Sequence, residues 1–341
     1  MAPPTVSGAS AAVGVAIRAS TAQMRARVAE GLARPKAWLG RRWLGSAVSA
    51  PTQPPLAALL GGLNRPRGEQ LYGTIGPTWM QGQTTFGGCS AALCLLGARS
   101  LLEASAESRL PLRSAQITFL GAAGGSCHVS STILRKGKSS AFVRSELAAD
   151  GGLATSAMLA FGKARRSTID VSLVSTPTVL DLPPPTLSLP LSEALGVPLP
   201  VFMQNFELRM ARRGTSTRGA LSGTSTWLWV RHAGALDDGG VEGVDAEVAL
   251  LALADTPPPA LIMLLPLQQA FPNVSSLTWH VDVCDDVEAR ASSQDGWWLI
   301  EGRTETARDG YSAAAMTLWG GPGDWERGPL LIGRQTIAVY L

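Results

Sequence analysis

Leu331-Ile332-Gly333-Arg334-Gln335-Thr336-Ile337-Ala338-Val339 closes the chain as a strand-like run, and it has a counterpart near the middle. That counterpart is Gly151-Gly152-Leu153-Ala154-Thr155-Ser156-Ala157-Met158-Leu159-Ala160-Phe161. Working back from each, the same order of segments recurs. Helix-like Thr84–Leu102 precedes strand-like Arg113–Leu120 in the first copy, and Val244–Ala254 precedes Ser275–Val283 in the second. A recurring order of this kind marks a duplicated unit. Overlaid, Gln335 falls on Ala157, and Asp255 falls near Gly97–Ala98. Polar side chains present in only one copy point to a single active site per chain.

At 341 residues, 45% hydrophobic and 16% charged, the chain is long enough for two cores of ordinary size. No transmembrane helix is expected, because the richest apolar run, Val248–Leu267, is broken by Asp255 and three prolines. Residues 1–67 hold nine Lys/Arg against one acid, Glu30; removing their +8 from the overall +3 leaves −5 on the rest. A mildly acidic body argues against a nucleic-acid surface. The basic segment is rich in Ala, Arg, Ser and Pro, and Ala16–Leu44 reads as an amphipathic helix with Met24, Val28 and Leu32 on one edge. Such composition suits an organellar transit peptide, mitochondrial first, with plastid or cytoplasmic residence as the alternatives. A disordered extension with no address is the competing reading. Cys89, Cys94, Cys127 and Cys284 show no paired or zinc-like spacing, so free thiols and no structural metal are expected.

The organisation follows from the turn and breaker residues. An extension covers 1–66 and a first folded unit 67–163, with turns at Lys136-Gly137-Lys138 and Asp150-Gly151-Gly152. A linker at 164–200 contains Pro183-Pro184-Pro185, Pro190, Pro198 and Pro200, too much proline for the interior of a sheet or helix. The second unit covers 201–341. A helix followed by strands, twice, without strand–helix alternation, predicts an α+β fold with antiparallel sheets.

Several of these segments carry a family resemblance. Thr85-Phe86-Gly87-Gly88-Cys89-Ser90-Ala91-Ala92-Leu93, Leu112–Leu120, Leu134-Arg135-Lys136-Gly137-Lys138-Ser139 and the Asp150-Gly151 turn resemble the first half of a double-hotdog acyl-CoA thioesterase. Leu253-Ala254-Asp255-Thr256-Pro257-Pro258-Pro259-Ala260, Ser275-Ser276-Leu277-Thr278-Trp279-His280 and Arg334-Gln335-Thr336 resemble its second half. The resemblance implies two antiparallel sheets, each wrapped around a central helix. It also implies an acyl-CoA substrate, water as nucleophile, no cofactor and a homo-oligomer. The family's triad of Asp, hydroxyl and Gln maps onto Asp255, Ser276 or Thr278, and Gln335. Thr278 lies two residues beyond Ser276 and on an unbroken strand would share its face. The chain departs from the family in having Cys89 after Gly87-Gly88, and Asp282-Val283 at a usually aromatic place; both bear on substrate shape more than on chemistry.

Those residue types suit thioester hydrolysis. A carboxylate at the end of an apolar helix, with Pro257 favouring a stop, is desolvated and therefore more basic. A Gln amide both donates and accepts, so it can hold a water from the side. Gly87-Gly88 permits close helix packing, or offers N–H groups to a carbonyl oxygen. Arg135, Lys136 and Lys138 either meet the phosphates of CoA or form a solvated hairpin tip. The tryptophans, Trp297-Trp298, Trp319 and Trp325 among them, fill sheet cores, an oligomer interface or an acyl tunnel. No Gly-x-Ser-x-Gly, Walker or Gly-x-Gly-x-x-Gly motif is present, and His128, His232 and His280 have no triad spacing. A hotdog module that binds acyl chains or a protein without hydrolysis is the alternative function.

Overall fold

Apolar residues alternate along almost every strand of the computed structural model, and the buried set gathers around two helices. The structure describes residues 54–64, 70–104, 109–175, 177, 182–213, 225–237, 239–264, 273–290, 294–321 and 324–340. The basic Ala16–Leu44 segment lies outside them. The expected extension is packed against the core before residue 66: helix α1 (Pro55–Gly61) begins with proline at its first turn and buries Leu56, Ala57 and Leu60.

Strand β1 (Leu71–Ile75) leads into helix α2 (Gly87–Ala104), which is followed by β2 (Leu112–Phe119), β3 (Gly125–Lys136), β4 (Ser140–Ala149) and β5 (Gly152–Gly162). The linker supplies the two-residue strand β6 (Leu189–Pro190). The second copy then runs β7 (Phe206–Arg213), β8 (Ser225–His232), α3 (Ala246–Ala254), β9 (Asn273–Val283), β10 (Trp298–Arg308), β11 (Tyr311–Trp319) and β12 (Leu331–Tyr340). These twelve strands join one sheet, in the order β1-β3-β4-β5-β2-β9-β12-β11-β10-β8-β7-β6, with Met80–Gln81 and Thr84–Thr85 forming a separate two-stranded ribbon, and every pairing is antiparallel. The repeat is visible in that order, which reads alike from the centre outwards as far as β1 and β8.

The expected pair of separate sheets is thus corrected to a single one. Strands β2 and β9 would each be an edge with unpaired N–H and C=O groups. They satisfy each other instead, Ser114–Thr118 against Thr278–Asp282.

Helix α2 is buried on every side from Gly88 to Arg99, packing on β3, β4 and β5 and against α3. Helix α3 is likewise apolar all round, which suits a helix with no solvent face. Its start is capped by Asp245, whose carboxylate accepts from Glu247 N and Val248 N. The two helices run antiparallel. Gly88 at the start of α2 lies against Ala252 near the end of α3, and Arg99 further along α2 is ion-paired with Glu247 at the start of α3. That pair is buried. Arg99 also donates to Leu110 O and lies over the Phe161 ring at 4.8 Å, while Glu247 Oε1 accepts from Leu112 N at 2.8 Å.

The tryptophans divide by strand face. Leu228 and Val230 of β8 point into the main core, whereas Trp229 joins Trp297, Trp319 and Trp325 in a second buried cluster with Trp227 packed on it. The linker covers this cluster, with Leu182 and Val174 against it and Trp229 Nε1 donating to Pro183 O at 2.9 Å. A proline-rich segment suits that role, because it has few N–H groups to satisfy while lying on an apolar surface. Among the described residues no helix is long and apolar enough to cross a membrane, and no cluster of His, Cys, Asp and Glu is arranged to hold a metal ion.

Candidate active site

Helix α3 ends where its sequence stops supporting it. Pro257 disfavours helical backbone at Thr256, and Thr256 turns back on the helix, its N–H and Oγ1 both donating to Leu253 O. Asp255 is left at the terminus of a buried helix. Its carboxylate accepts from Gln335 Nε2 through Oδ1 and from the backbone N–H of Gly88. Three segments far apart in sequence therefore converge on one carboxyl group.

Burial pushes the Asp255 carboxyl up from the ordinary aspartate range to about 7, against the opposing pull of the Gln335 and Gly88 hydrogen bonds. The carboxylate also faces the first turn of α2, whose dipole favours the anion. A group so poised can take and return a proton near neutrality.

Gly87 and Gly88 are glycines because there is no room for anything larger. A Cβ on Gly87 would stand 2.5 Å from Asp255 Oδ2 and 3.1 Å from the Phe119 ring; one on Gly88 would stand 2.5 Å from Ala252 O. The packing reading of this pair holds, since the glycines let the helices approach; the Gly88 N–H is used on Asp255 rather than on a carbonyl oxygen. Gly87→Ala is expected to push the carboxylate aside and lower kcat/KM by about 100-fold, since a displacement of about 1 Å at a reacting group has that effect. Steady-state kinetics beside a melting curve within a few degrees of wild type would check it.

Gln335 sits on β12 opposite Trp279 of β9 and Ala314 of β11. Its counterpart Ala157 occupies the same place on β5, between Ile117 and Ser145. The matching region of α2 is closed: a Cβ on Gly97 would stand 2.7 Å from Val129 and 2.9 Å from Ser131 Oγ. The first copy has small residues and contact where the second has a polar pair.

Ser276 and Thr278 do not share a face. The pairing of β9 with β12 shifts between them: Ser276 faces Ile337 and Thr278 faces Thr336, leaving Leu277 as the extra residue of a bulge. A shift of one residue reverses the alternation. Ser276 therefore lies on the side of Ile337 and Gln335 and lines a cleft with Asp255, while Thr278 is exposed on the other side.

That cleft, about 30 Å³, is lined by Asp255, Gln335, Ser276, Gln81, Phe202 and Met203 along with the Pro257–Pro259 wall. Its volume is that of about one water. A second cavity of about 20 Å³ shares Asp255, Gln335 and Pro257–Pro259 with it and is bounded besides by Gly302, Ala314, Ala315 and Met316. Gln81, Phe202 and Met203 carry no motif and come from segments remote from the triad, so their part in the cleft is visible only in three dimensions. No tryptophan among the described residues lines either cavity.

Arg135 and Lys136 are not brought to this site within the chain. With Lys138 they are exposed at the β3–β4 hairpin tip, which is tied to the start of β2 through Lys163 N to Ser139 O and Gly162 N to Pro111 O. Phe119, beside Gly87, is at the other end of β2, roughly 25 Å away at the usual rise per residue.

A continuous antiparallel sheet over two buried helices, with a carboxylate and an amide meeting at a helix junction, defines a protein of the double-hotdog class. The sequence profile of the acyl-CoA thioesterase N-terminal domain matches residues 75–162, and that of the acyl-CoA thioesterase C-terminal domain matches residues 178–338. The chain belongs to the acyl-CoA thioesterase family. No curated protein matches its sequence. Among solved structures it is similar to a hotdog-fold protein of unknown function from Alicyclobacillus acidocaldarius, at 21% identity over 84% of this chain and 98% of that one, TM-score 0.66. A putative thioesterase II from Thermobifida fusca is 15% identical over 85% and 99%, TM-score 0.64. An acyl-CoA thioesterase II from Mycobacterium marinum is 19% identical over 82% and 94%, TM-score 0.57. At these identities the likeness is one of fold.

Proposed function

We propose that the protein hydrolyses acyl-CoA to a free fatty acid and CoA, with Asp255, Gln335 and Ser276 holding and activating the attacking water. The observation that carries this reading is the Gln335-to-Asp255 hydrogen bond, made at the wall of a cleft of one-water size by groups 80 positions apart. In the reaction Asp255 takes a proton from water as its oxygen adds to the thioester carbonyl. The tetrahedral intermediate then expels the CoA thiolate, which recovers the proton from Asp255. The first N–H groups of α2 other than that of Gly88, which is on Asp255, have no partner within the helix and suit the developing oxyanion.

Free-thiol release from a panel of acyl-CoAs of increasing chain length tests the proposal directly. Release with a defined chain preference supports it. No release from any acyl-CoA would leave the fold as an acyl-binding or protein-interaction module. The hydroxyl is assigned by two further variants. Ser276→Ala is expected to lower kcat by about 100-fold or more, the scale of loss when a positioned polar group is removed from such a site. Thr278→Ala, on the opposite face, is expected to stay within about twofold. The reverse ranking would show that the bulge is not kept in solution.

A further inference from the structure

The cations at the β3–β4 hairpin tip have no part in the proposed hydrolysis, and they belong to a larger group. Residues 108–145 and 151–169 together contain nine Lys/Arg and no Asp or Glu, although the chain beyond residue 67 is net acidic. Arg135, Lys136 and Lys138 stand on the tip itself. Lys163 and Arg165 are tied to it, through Lys163 N to Ser139 O at 3.0 Å and Arg165 Nη2 to Ser139 Oγ at 3.3 Å. Arg135, Lys138, Lys163, Arg165 and Arg166 make no ion pair among the described residues.

Apolar side chains stand among these cations. The β3–β4 pairing shifts between Ile133 and Arg135, so Leu134 and Arg135 both oppose Phe142. Leu134 is 50% exposed and Phe142 39%. Beyond Arg166 the linker crosses the same end of the sheet. Strands β2 and β12 both pair antiparallel with β9, so their first residues lie together there, and Ser172 Oγ is 2.9 Å from where a Cβ on Gly328 would stand, just before β12. Val174 packs on the tryptophan cluster, on the inner side of the linker with Ser172. The side chains between them point out: Ile169, Val171 and Leu173 are 75%, 67% and 91% exposed. Single exposed aliphatic residues are ordinary, but five on one basic rim are not.

We propose that this end of the molecule docks on the surface of an anionic lipid bilayer. The cations meet the lipid headgroup charges, and the five apolar side chains enter the headgroup–acyl boundary. Aliphatic side chains offer nucleic-acid bases no face to stack on. At such exposures they also scarcely touch one another, so they form no joined apolar patch of the kind at the centre of a protein interface. A fluid bilayer requires no matching shape. Gly87 and Phe119, beside Asp255, are at the other end of β2, so docking leaves the cleft open to water.

Hydrogen exchange on the full chain locates the contact, which sedimentation alone does not, because residues 1–67 are basic as well. The amides of Val171–Leu173 have no partner among the described residues and exchange freely in water. Vesicles of two parts phosphatidylcholine to one part phosphatidylserine, at about ten times the dissociation constant, are expected to slow residues 163–175 about tenfold. Raised salt should restore the rate, and pure phosphatidylcholine vesicles should leave it unchanged. Arg135→Gln with Lys138→Gln should raise the lipid concentration required by roughly 20-fold, each cation near an anionic surface contributing about fivefold. Ile169→Ser with Leu173→Ser should raise it about tenfold or more. All four side chains are exposed, so both double variants should melt with the wild type. Equal protection by the two kinds of vesicle, protection that survives either double variant, or no protection of 163–175 when vesicles are held by residues 1–67 would overturn the proposal. A raised KM for acyl-CoA in the cation variant would overturn it by giving those side chains to the phosphates of CoA. A changed oligomeric state in the aliphatic variant would overturn it by giving the linker to a contact between copies.

Discussion

Asp255→Asn is expected to lower kcat/KM for acyl-CoA hydrolysis by about 100-fold or more, the scale of loss for a group acting on the transition state. The substitution keeps shape and removes the base. Asn can still accept from Gly88 N–H, and Gln335 can turn its amide to accept from the new NH₂, so the junction of α2, α3 and β12 stays joined. Wild-type activity should fall about tenfold per pH unit below about 7, where the carboxyl becomes protonated and can no longer take a proton from water. Stability has the opposite dependence. The folded carboxyl holds its proton up to about pH 7 and the unfolded one only to about 4. Its contribution to folding is full below pH 4 and is lost as pH rises through 7. The Asn variant should therefore melt at or above the wild-type temperature at pH 8. A variant that is inactive because it is unfolded would melt lower, and one that is folded and fully active would remove Asp255 from the mechanism.

Arg99→Met is expected to give the largest loss of stability. Arg99 and Glu247 are both about 5% exposed or less, and removing Arg99 leaves the buried Glu247 carboxylate only its longer contact with the partly exposed Arg109, at 3.8 Å. Such a break destabilises by about 3–5 kcal/mol, enough to lower Tm by roughly 10 °C in a chain of this size. Adding Glu247→Gln should recover most of the loss. The Gln oxygen still accepts from Leu112 N, its amide can donate to the Leu110 carbonyl that Arg99 vacates, and no buried charge remains. Denaturant titration of the single and double variants measures both effects. Thiol release by Arg99→Met, assayed below its melting range, should stay near wild type, because the ion pair is at the opposite end of the helix pair from Asp255. A change in Cm of less than about 0.5 kcal/mol equivalent in the single variant would mean that water reaches the pair in solution.

Much of this architecture was legible in the chain. The helices expected at Thr84–Leu102 and Val244–Ala254 are observed at Gly87–Ala104 and Ala246–Ala254, and the four strand-like runs of the repeat agree with β2, β5, β9 and β12 to within two residues. Periodicity and breakers act locally, so one dimension suffices to read them. The joining of two units into one sheet was not legible. It depends on which edges remain unpaired after each copy folds, and strand composition does not record that. The hairpin-tip cations are a similar case: Arg135 and Lys136 have the right chemistry for phosphates, yet strand length places them at the wrong end of β2.

By itself, then, the sequence determined the duplicated unit, the position of Asp255 at the end of an apolar helix, and the presence of Gln335 in one copy alone. These follow from residue order, propensity and turn chemistry. Only the tertiary structure decided that Gly88 donates to Asp255, that Ser276 shares the cleft, and that Thr278 does not. A single extra residue at Leu277 reverses the faces of β9, and a bulge is settled by pairing with the neighbouring strand rather than by the strand's own sequence.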